Sequence, residues 1–264
     1  TPAEEFAALK KLRQALPAGV GMDIFEDRQR RVRCVPYPGS PSQKAGVLYG
    51  DVLKGVDGTA IRGKELFQIA RQIRGQEGSV ASLCLYSEGG TMRTAVMPRT
   101  SATYPTVSRT RISPAVIRIF RFSRQTPVEL HACLQNLADD EGCVIDLRGN
   151  TGGSMEAGVE CARMFLKKGD ILLRLCNRNS LKDMLAAANG QYHALPVVLL
   201  QDQFTASAAE LFIAALACAG RARTKGSQSA GKACVQNIFT LSDGSVLKLT
   251  TEKMLYPGRT DDWE

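Results

Sequence analysis

The spacing of apolar residues divides this chain of 264 residues into two parts with different patterns. In the first part, short alternating segments predict β-strands, because successive side chains of a strand point to opposite faces. These segments are residues 21–25, 32–35, 52–56, 79–86 and 92–97. Apolar residues at helical spacing predict helices over residues 2–16 and 64–73. The first part is therefore a small β-rich unit preceded by a short amphipathic helix.

The second part alternates predicted strands and helices along the chain. Continuous apolar runs at residues 143–147 and 197–200 are typical of buried parallel strands, which are covered on both faces. Further strands are predicted at residues 116–122, 171–175, 235–241 and 246–251, and helices at 127–137, 155–166 and 208–219. This alternation indicates an α/β domain.

These patterns predict the domain organisation. The segments are an N-terminal helix (1–18), a β-rich domain (19–98), a linker (99–112) and an α/β core (113–264). The linker is predicted because Arg, Ser, Thr and Pro interrupt the apolar periodicity there. The chain begins with Thr1 rather than Met, so we expect a processed or altered start that says nothing about the compartment.

The composition is that of a globular protein. Hydrophobic residues make up 44% and charged residues 23%, which excludes disordered, collagen-like and coiled-coil chains. The apolar run at residues 211–219 is too short for a membrane span of about 20 residues. The net charge is +8, but the densest basic cluster, residues 28–33, contains no aromatic residue. We therefore expect a solvated hairpin there and no nucleic-acid partner, while peripheral membrane association stays open.

The cysteines and histidines give no sign of a metal site. None of the eight cysteines has C-x-x-C spacing, which argues against zinc and redox motifs. Cys161 and Cys218 lie in apolar helical patterns, so we expect buried thiols rather than a disulfide framework. Two histidines are too few for a typical metal site, and we expect neither a metal nor a cofactor.

Two common catalytic or binding patterns have little support. A histidine-based triad has little support because the sequence contains no G-x-S-x-G motif. His131 lies within a predicted helix, and His193 lies before a buried strand. Residues 226–232 match the P-loop pattern G-x-x-x-x-G-K, but Ala233 replaces the expected Ser or Thr. A strand-like segment follows, whereas a P-loop opens a helix, so we do not expect nucleotide binding.

A serine and a lysine form a third candidate site. Ser207 lies between a buried strand and a helix, where free backbone N–H groups favour an anion, although a simple helix cap is the alternative. A lysine can take the proton of a serine if desolvation lowers the lysine pKa from about 10.4. Small uncharged residues flank Lys232 on both sides, which allows a desolvated base and equally allows an exposed loop lysine.

Ordered motifs in the second part resemble the carboxy-terminal processing, or tail-specific, proteases. They are residues 144–153 (VIDLRGNTGG), 205–210 (TASAAE) and 231–236 (GKACVQ). The resemblance covers most of residues 116–257. The first part is similar to the PDZ domain of these proteases at residues 19–22, 39–41, 44–46, 50–51 and 73–75. The implied fold class is α/β, with a small β-rich PDZ domain followed by an α/β serine protease core of crotonase/ClpP-like type.

The resemblance implies a role for individual residues of the core. Ser207 would be the nucleophile, Lys232 the general base, and Gln236 the group that orients the lysine. The backbone N–H groups of Gly153 and Ala208 would form the oxyanion hole. Further residues are expected to position these groups rather than to react. They are Asp146, Arg148 and Asn150, which would hold the glycine turn, and Glu210, which would be structural or bind a neighbouring loop.

The resemblance also implies a peptide site in the first part. The loop formed by Gly19, Val20, Gly21 and Met22 would hold a C-terminal carboxylate through backbone N–H groups. Arg74 would be a regulatory or carboxylate-side contact, with a surface salt bridge as the alternative. The apolar side chains available to line the pocket, or to pack in the core instead, are Leu66, Ile69 and Ala70.

The implied function is a serine endopeptidase that captures protein C-termini and cleaves through an acyl-enzyme. Its partners would be proteins or peptides with free C-termini, a homo-oligomer stays open, and the location would be extracytoplasmic (periplasm, cell envelope or organelle lumen). The alternatives are an inactive or latent peptide-binding scaffold and an acyl-CoA enzyme of crotonase-like fold. The segments before the first domain and after the last strands are shorter than in the family, so we expect family elements to be missing.

Overall fold

The structure is a computed structural model that describes residues 18–27, 29–87, 89–110, 114–135, 137, 142–232, 234–242 and 246–255. The chain folds as two compact units, Thr1–Pro105 with Thr240–Leu247 and Thr106–Phe239 with Lys248–Glu264. The mixed α/β class is confirmed. The predicted N-terminal helix at residues 2–16 lies outside the described residues.

An antiparallel sheet forms the first unit. Its strands are β1 (Met22–Glu26), β2 (Val32–Pro36), β3 (Val52–Val56), β4 (Thr59–Ala60), β5 (Val80–Tyr86) and β6 (Met92–Pro98). The order is β1-β2-β3-β5-β6, with β4 paired to β3, so β1 is an edge strand. Two helices, Pro41–Lys44 and Leu66–Ile73, complete the unit. The alternating pattern of the sequence is explained by β5, on which Ala81, Leu83 and Leu85 are buried.

The hairpin between β1 and β2 differs from the solvated one expected from its charges. Arg33 is only 2% exposed, and its Nε donates to Asp27 Oδ2 at 2.8 Å. Its Nη1 also donates to the carbonyl of Gly50 at 2.7 Å. Burial by itself raises the pKa of Asp27, but the hydrogen bonds from Arg33 and Arg31 outweigh burial and lower it. Part of the basic cluster is therefore a buried ion pair.

The segment predicted as a linker, residues 99–112, contains one short strand and buried side chains. Strand β7 (Val107–Arg109) pairs with the next strand of the second unit. Arg99 and Thr106 are buried. The Arg99 Nε donates to the carbonyl of Ile73 at 2.8 Å. A strand of three residues is too short to show an alternating pattern, which is why the sequence did not predict it.

A largely parallel sheet forms the centre of the second unit. Its strands are β7, β8 (Ala115–Ile119), β9 (Cys143–Asp146), β12 (Val197–Gln201) and β13 (Ala222–Gly226), in the order β13-β12-β9-β8-β7. Only β7 is antiparallel to its neighbour. The two buried strands predicted from continuous apolar runs are confirmed as β9 and β12. Because parallel strands end at the same edge, the segments that follow β9 and β12 lie side by side.

Three helices cover this sheet and provide much of its core. They are Thr126–Leu134, Met155–Arg163 and Ala208–Cys218. Phe212 of the last helix packs edge-on against Phe165, with ring centroids 6.0 Å apart. Burying each such aromatic side chain stabilises the fold by about 1.5–3 kcal/mol. Among the described residues, no helix is both long and apolar enough to cross a membrane.

A second sheet lies in the same unit. Its strands are β10 (Ile171–Cys176), β11 (Leu181–Leu185), β14 (Cys234–Thr240) and β15 (Val246–Leu255), in the order β11-β10-β15-β14. The sequence predicted β10 and the hairpin strands but missed β11 and β13. Both missed strands are edge strands with mostly exposed side chains, so neither has the apolar alternation that marks a half-buried strand.

Candidate active site

Ser207 has an unusual backbone conformation at the start of the helix Ala208–Cys218. Its φ is 57° and its ψ is −121°, in a region that residues other than glycine rarely occupy. Such a conformation costs about 1–3 kcal/mol and persists only when the surrounding structure holds it. In α/β-hydrolases the nucleophilic serine also lies on a sharp, strained turn between a strand and a helix.

A glycine turn packs directly against Ser207. Gly152 and Gly153 have φ values of 99° and 131°. A Cβ atom on Gly152 would lie 2.8 Å from the Cβ of Ser207 and 2.9 Å from the backbone N of Ala208. A Cβ on Gly153 would lie 2.0 Å from the carbonyl oxygen of Phe122. Only glycine fits at both positions, and the turn lies beside the Ser207–Ala208 peptide.

Asn150 holds this glycine turn in place, as expected from the sequence. It is fully buried. Its Oδ1 accepts the N–H of Gly152 at 2.8 Å, and its Nδ2 donates to the carbonyl of Ile119 at 3.0 Å. Its own carbonyl accepts the N–H of Ala206 at 2.9 Å. One residue thereby joins the glycine turn, strand β8 and the segment before Ser207.

Asp146 and Arg148 form an ion pair at the end of β9. Arg148 Nε and Nη2 donate to the two carboxylate oxygens at 2.9 and 2.8 Å. Burial alone raises the pKa of Asp146, but the hydrogen bonds from Arg148 and the positive charge of Arg118 outweigh it and lower the pKa. Asp146 is therefore a structural carboxylate that stays ionised, rather than a proton donor.

Asp202 is a positioning residue that the sequence reasoning missed. Its Oδ1 accepts the backbone N–H groups of Gly149, Phe204 and Thr205 at 3.0, 3.0 and 3.1 Å. Thr205 is fully buried and donates through Oγ1 to the carbonyl of Leu147 at 3.0 Å. These bonds tie the segment after β9 to the segment after β12. An aspartate directly after a strand is a known turn-forming residue, so that signal was available.

Glu210 connects Ser207 with the loop that carries Lys232. The carboxylate is only 3% exposed. Its Oε2 accepts the N–H of Ser207 at 2.8 Å, and its Oε1 accepts the Ser229 hydroxyl and the Gly231 N–H, each at 2.7 Å. The Ala230 N–H also donates to the carbonyl of Thr205 at 2.9 Å. The expectation that Glu210 binds a neighbouring loop is confirmed.

Lys232 follows this tethered loop directly, but its side chain is exposed. Within the described part of the chain, no hydrogen bond joins Lys232 to Ser207. Gln236 lies in β14, and its side chain lies outside what the structure describes. Residues 226–232 lead from β13 into β14, a strand, so the P-loop arrangement that the sequence already argued against does not form.

The two histidines have structural partners. His131 Nδ1 lies 2.9 Å from the hydroxyl of Tyr192, and His193 Nδ1 lies 2.8 Å from the carbonyl of Gly190. In the described ranges, no group of three or more His, Cys, Asp or Glu side chains could hold a metal ion.

All eight cysteines are thiols, and none forms a disulfide. Cys34, Cys143 and Cys161 are buried, and burial raises the pKa of Cys34 and of Cys143 to about 12. The expectation of a buried thiol is wrong for Cys218, which is exposed. Cys218 is the last residue of an almost uniformly apolar helix, whose sequence does not distinguish the buried face from the exposed one.

The predicted carboxylate loop lies at the start of edge strand β1. The Gly19 N–H donates to the carbonyl of Thr100 at 2.9 Å, so it is already used within the fold. Val20 is buried, Gly21 has a φ of 71°, and Met22 begins β1. Arg74 is exposed just after the helix Leu66–Ile73. Ile69 is a core residue, whereas Leu66 and Ala70 are half-buried.

The second unit is a mixed α/β core with Ser207 on a strained turn, and comparison with known proteins identifies its family. The model of peptidase family S41 matches residues 113–264, and the chain belongs to this family. The C-terminal processing peptidase of the Tetradesmus obliquus chloroplast is 30% identical over 97% of this chain and 60% of its own length. The carboxyl-terminal-processing protease of Picosynechococcus is 32% identical over 96% of this chain and 64% of its own.

A solved structure agrees with this assignment. The photosystem II D1 C-terminal processing protease superposes with a TM-score of 0.77 at 30% identity, covering 92% of this chain and 69% of that one. The chain spans less than two thirds of the length of the two curated relatives above. The resemblance inferred from the ordered motifs is therefore confirmed at the level of the family.

Proposed function

We propose that the second unit is a serine endopeptidase in which Ser207 is the nucleophile and Lys232 the general base. The observation that carries the proposal is the strained backbone of Ser207, at φ 57°, packed against the Gly152 turn. The structure that surrounds Ser207 holds this strain through Glu210 and Asn150. A serine that only capped a helix would not need a positive φ.

The proposed reaction proceeds through an acyl-enzyme. The neutral amine of Lys232 takes the proton from Ser207 Oγ, and Oγ attacks the carbonyl carbon of the substrate. The negative oxygen of the tetrahedral intermediate accepts hydrogen bonds from the backbone N–H groups of Gly153 and Ala208. Each such donor contributes about 2.7–4 kcal/mol. The protonated lysine then gives its proton to the leaving amine, and a water molecule, deprotonated by the same lysine, releases the acyl group.

The base must approach Ser207 from the exposed position described above. Glu210 already holds Ser229 and Gly231, so the backbone before Lys232 is tied to the start of the Ser207 helix. We propose that substrate covers this loop, that Lys232 then turns towards Ser207, and that Gln236 orients it. Removal from water favours a neutral amine, which is the form that can accept a proton.

We further propose that the first unit is a PDZ domain that binds substrate C-termini. Among the described strands, β1 lies at the edge of the sheet, where a peptide can pair as an added strand. The helix Leu66–Ile73 packs on the same unit and presents the half-buried side chains of Leu66 and Ala70. The backbone N–H groups of Val20, Gly21 and Met22 are the proposed hydrogen-bond donors to the substrate carboxylate. Arg74, directly after the helix, is a proposed further contact of this carboxylate.

The catalytic proposal is tested with Ser207→Ala and Lys232→Ala on an unstructured polypeptide with an apolar C-terminal tail. Loss of either group should lower turnover by at least about 10⁴-fold, because nucleophile and base act as one unit. Lys225→Ala, an exposed lysine on β13, is the matched control and should keep wild-type turnover. Wild-type turnover in either test variant would show that the assignment is wrong.

The second candidate is a latent or inactive peptide-binding scaffold. The exposed Lys232 side chain favours it, because the Ser207–Lys232 hydrogen bond is not formed among the described residues. A scaffold would bind a C-terminal peptide without cleaving it, whereas a gated enzyme would show turnover once a long substrate is bound. The family assignment favours the peptidase over the acyl-CoA enzyme.

We propose an extracytoplasmic or lumenal location. Support comes from relatives whose names place them in chloroplasts. The burial of Cys34, Cys143 and Cys161 protects these thiols in an oxidising compartment. Cell fractionation of the full-length protein tests the location, and recovery only in the cytosolic fraction would contradict it.

A further inference from the structure

The first unit contains a surface cavity of about 410 Å³ that the proposed mechanism does not use. It lies between the turn that joins β1 to β2, strand β3, and the segment of residues 61–65. Its lining includes the apolar side chains of Val32, Val52, Leu53 and Ile61, all of which are buried. The cavity therefore has an apolar floor that is formed by the core of this unit.

Cationic side chains surround this floor. The described residues that line the cavity include five cations, Arg30, Arg31, Lys54, Arg62 and Lys64, and two carboxylates, Glu26 and Glu65. Arg30 pairs with Glu26 and Arg31 pairs with Asp27, each at 2.8 Å. Lys54 lies over the ring of Tyr86, with its Nζ 5.7 Å from the centroid.

The remaining two cations are available to a ligand. Within the described ranges, the side chains of Arg62 and Lys64 take part in no ion pair and no hydrogen bond. No carboxylate of the described residues is paired with either charge, so both side chains can pair with a bound anion. The carboxylates of Glu26 and Glu65 at the same rim repel an anion that is not positioned away from them. This arrangement favours an extended acidic segment whose charges contact Arg62 and Lys64 directly.

The cavity lies at the far end of the proposed peptide groove. One wall of that groove, β1, begins after the loop of residues 19–21 and ends at Glu26, which lines the cavity. The other wall, the helix Leu66–Ile73, begins beside Glu65, which also lines the cavity. Its opposite end leads to Gly75, whose N–H donates to the carbonyl of Ala18 beside the carboxylate loop. The carboxylate loop and the cationic cavity therefore occupy opposite ends of one groove.

We propose that this cavity selects acidic residues upstream of the substrate C-terminus. The inference rests on the proposed PDZ function of the first unit. A peptide that pairs antiparallel with β1 advances about 3.3 Å per residue, so its residues roughly four to six positions before the C-terminus reach Glu26 and the cavity. The preferred substrate tail is then an apolar C-terminal residue with an acidic segment about one strand length upstream.

Binding of short peptides to the full chain with Ser207→Ala, which cannot cleave them, tests the proposal. The probes share an apolar C-terminal residue and carry either three glutamates or three glutamines at the upstream positions, with the glutamate peptide also prepared as a C-terminal amide. Fluorescence anisotropy should give at least about tenfold tighter binding for the glutamate peptide than for the glutamine peptide. Added salt should reduce the difference, because exposed charges are screened.

Matched variants separate the cavity from the overall charge. Arg62→Gln with Lys64→Gln should remove the preference for glutamate, while both peptides keep their dependence on a free carboxylate. Lys44→Gln with Lys168→Gln changes the net charge equally at exposed positions outside the cavity and should keep the preference. Loss of the preference in both double variants would overturn the proposal, because it would then reflect only net charge.

Other outcomes distinguish this inference from the function on which it rests. Equal binding of the glutamate and glutamine peptides, with weaker binding of the amide, would overturn the cavity proposal and keep C-terminal recognition. Equal binding of all three peptides would instead overturn C-terminal recognition. Vesicles containing phosphatidylserine provide a further control. If they bind through Arg62 and Lys64 while the peptides show no preference, the cavity is a membrane contact and the proposal fails.

Discussion

The Oε1 atom of Glu210 accepts the backbone N–H of Gly231, the residue before Lys232, at 2.7 Å. The other oxygen of the same carboxylate accepts the N–H of Ser207 at 2.8 Å. Ser207 and Lys232 are 25 positions apart in the sequence, and one buried side chain links their backbones. Glu210 is thus a positioning residue for the proposed nucleophile and base.

Replacing Glu210 tests this link. Glu210→Ala leaves three donors without their acceptor and should lower the free energy of unfolding by about 3 kcal/mol. It should also lower kcat by about 100-fold, because a shift of about 1 Å between reacting groups has an effect of that size. Glu210→Gln keeps one acceptor oxygen, so its stability and kcat should lie between those of wild type and Glu210→Ala. Glu160 is exposed, and Glu160→Ala should behave as wild type. Urea unfolding and single-turnover kinetics measure both effects, and unchanged kcat in Glu210→Ala would refute the positioning role.

The glycine turn offers a matched pair of substitutions. Gly152→Ala places a Cβ 2.8 Å from the Ser207 Cβ and should displace the Ser207 turn, lowering kcat by at least about 100-fold. Gly169→Ala introduces a similar backbone strain, since Gly169 has a φ of 90°, but meets no atom within 4 Å. It should cost about 1–2 kcal/mol of stability and leave kcat unchanged. Equal kcat values for the two variants would mean that the contact with Ser207 is unimportant.

Asp202 is expected to act through hydrogen bonding rather than charge. Asp202→Ala removes the acceptor of the Gly149, Phe204 and Thr205 N–H groups and should lower both stability and kcat. Asp202→Asn keeps an Oδ1 acceptor and should restore most of both. Steady-state kinetics that give kcat and KM for Asp202→Ala and Asp202→Asn check this expectation. If Asn is as impaired as Ala, the charge of Asp202 is what matters.

The lowered pKa of Asp146 predicts a loss of stability in acid. The unfolded chain, with an Asp pKa of about 3.9, binds a proton more readily than the folded chain, so protonation favours unfolding. The contribution of Asp146 is complete above that unfolded pKa and is lost as the pH falls through the lower folded value. Urea unfolding at pH 7, 4 and 3 should therefore show a smaller loss for Asp146→Asn than for wild type. A parallel loss in both proteins would exclude this linkage.

The agreement between sequence and structure follows the strength of the local signals. Continuous apolar runs predicted β9 and β12, and the helix Ala208–Cys218 was predicted to within one residue. Strands β7, β11 and β13 were missed because short or exposed strands have no apolar period. The burial of Arg33 was missed because its partners Asp27 and Gly50 meet it only through the fold.

The sequence by itself determined the family and the candidate reacting residues. The motifs that carry this information are local in the sequence. They are a serine before a helix, a glycine pair after a strand, and a lysine in a loop of small residues. The tertiary structure decided how these groups are held together. The parallel sheet brings the segments after β9 and β12 side by side, Asn150 and Asp202 join them, and Glu210 adds the Lys232 loop. Hydrogen bonds between distant segments depend on sheet order and register, which apolar periodicity does not encode, so only the folded chain shows them.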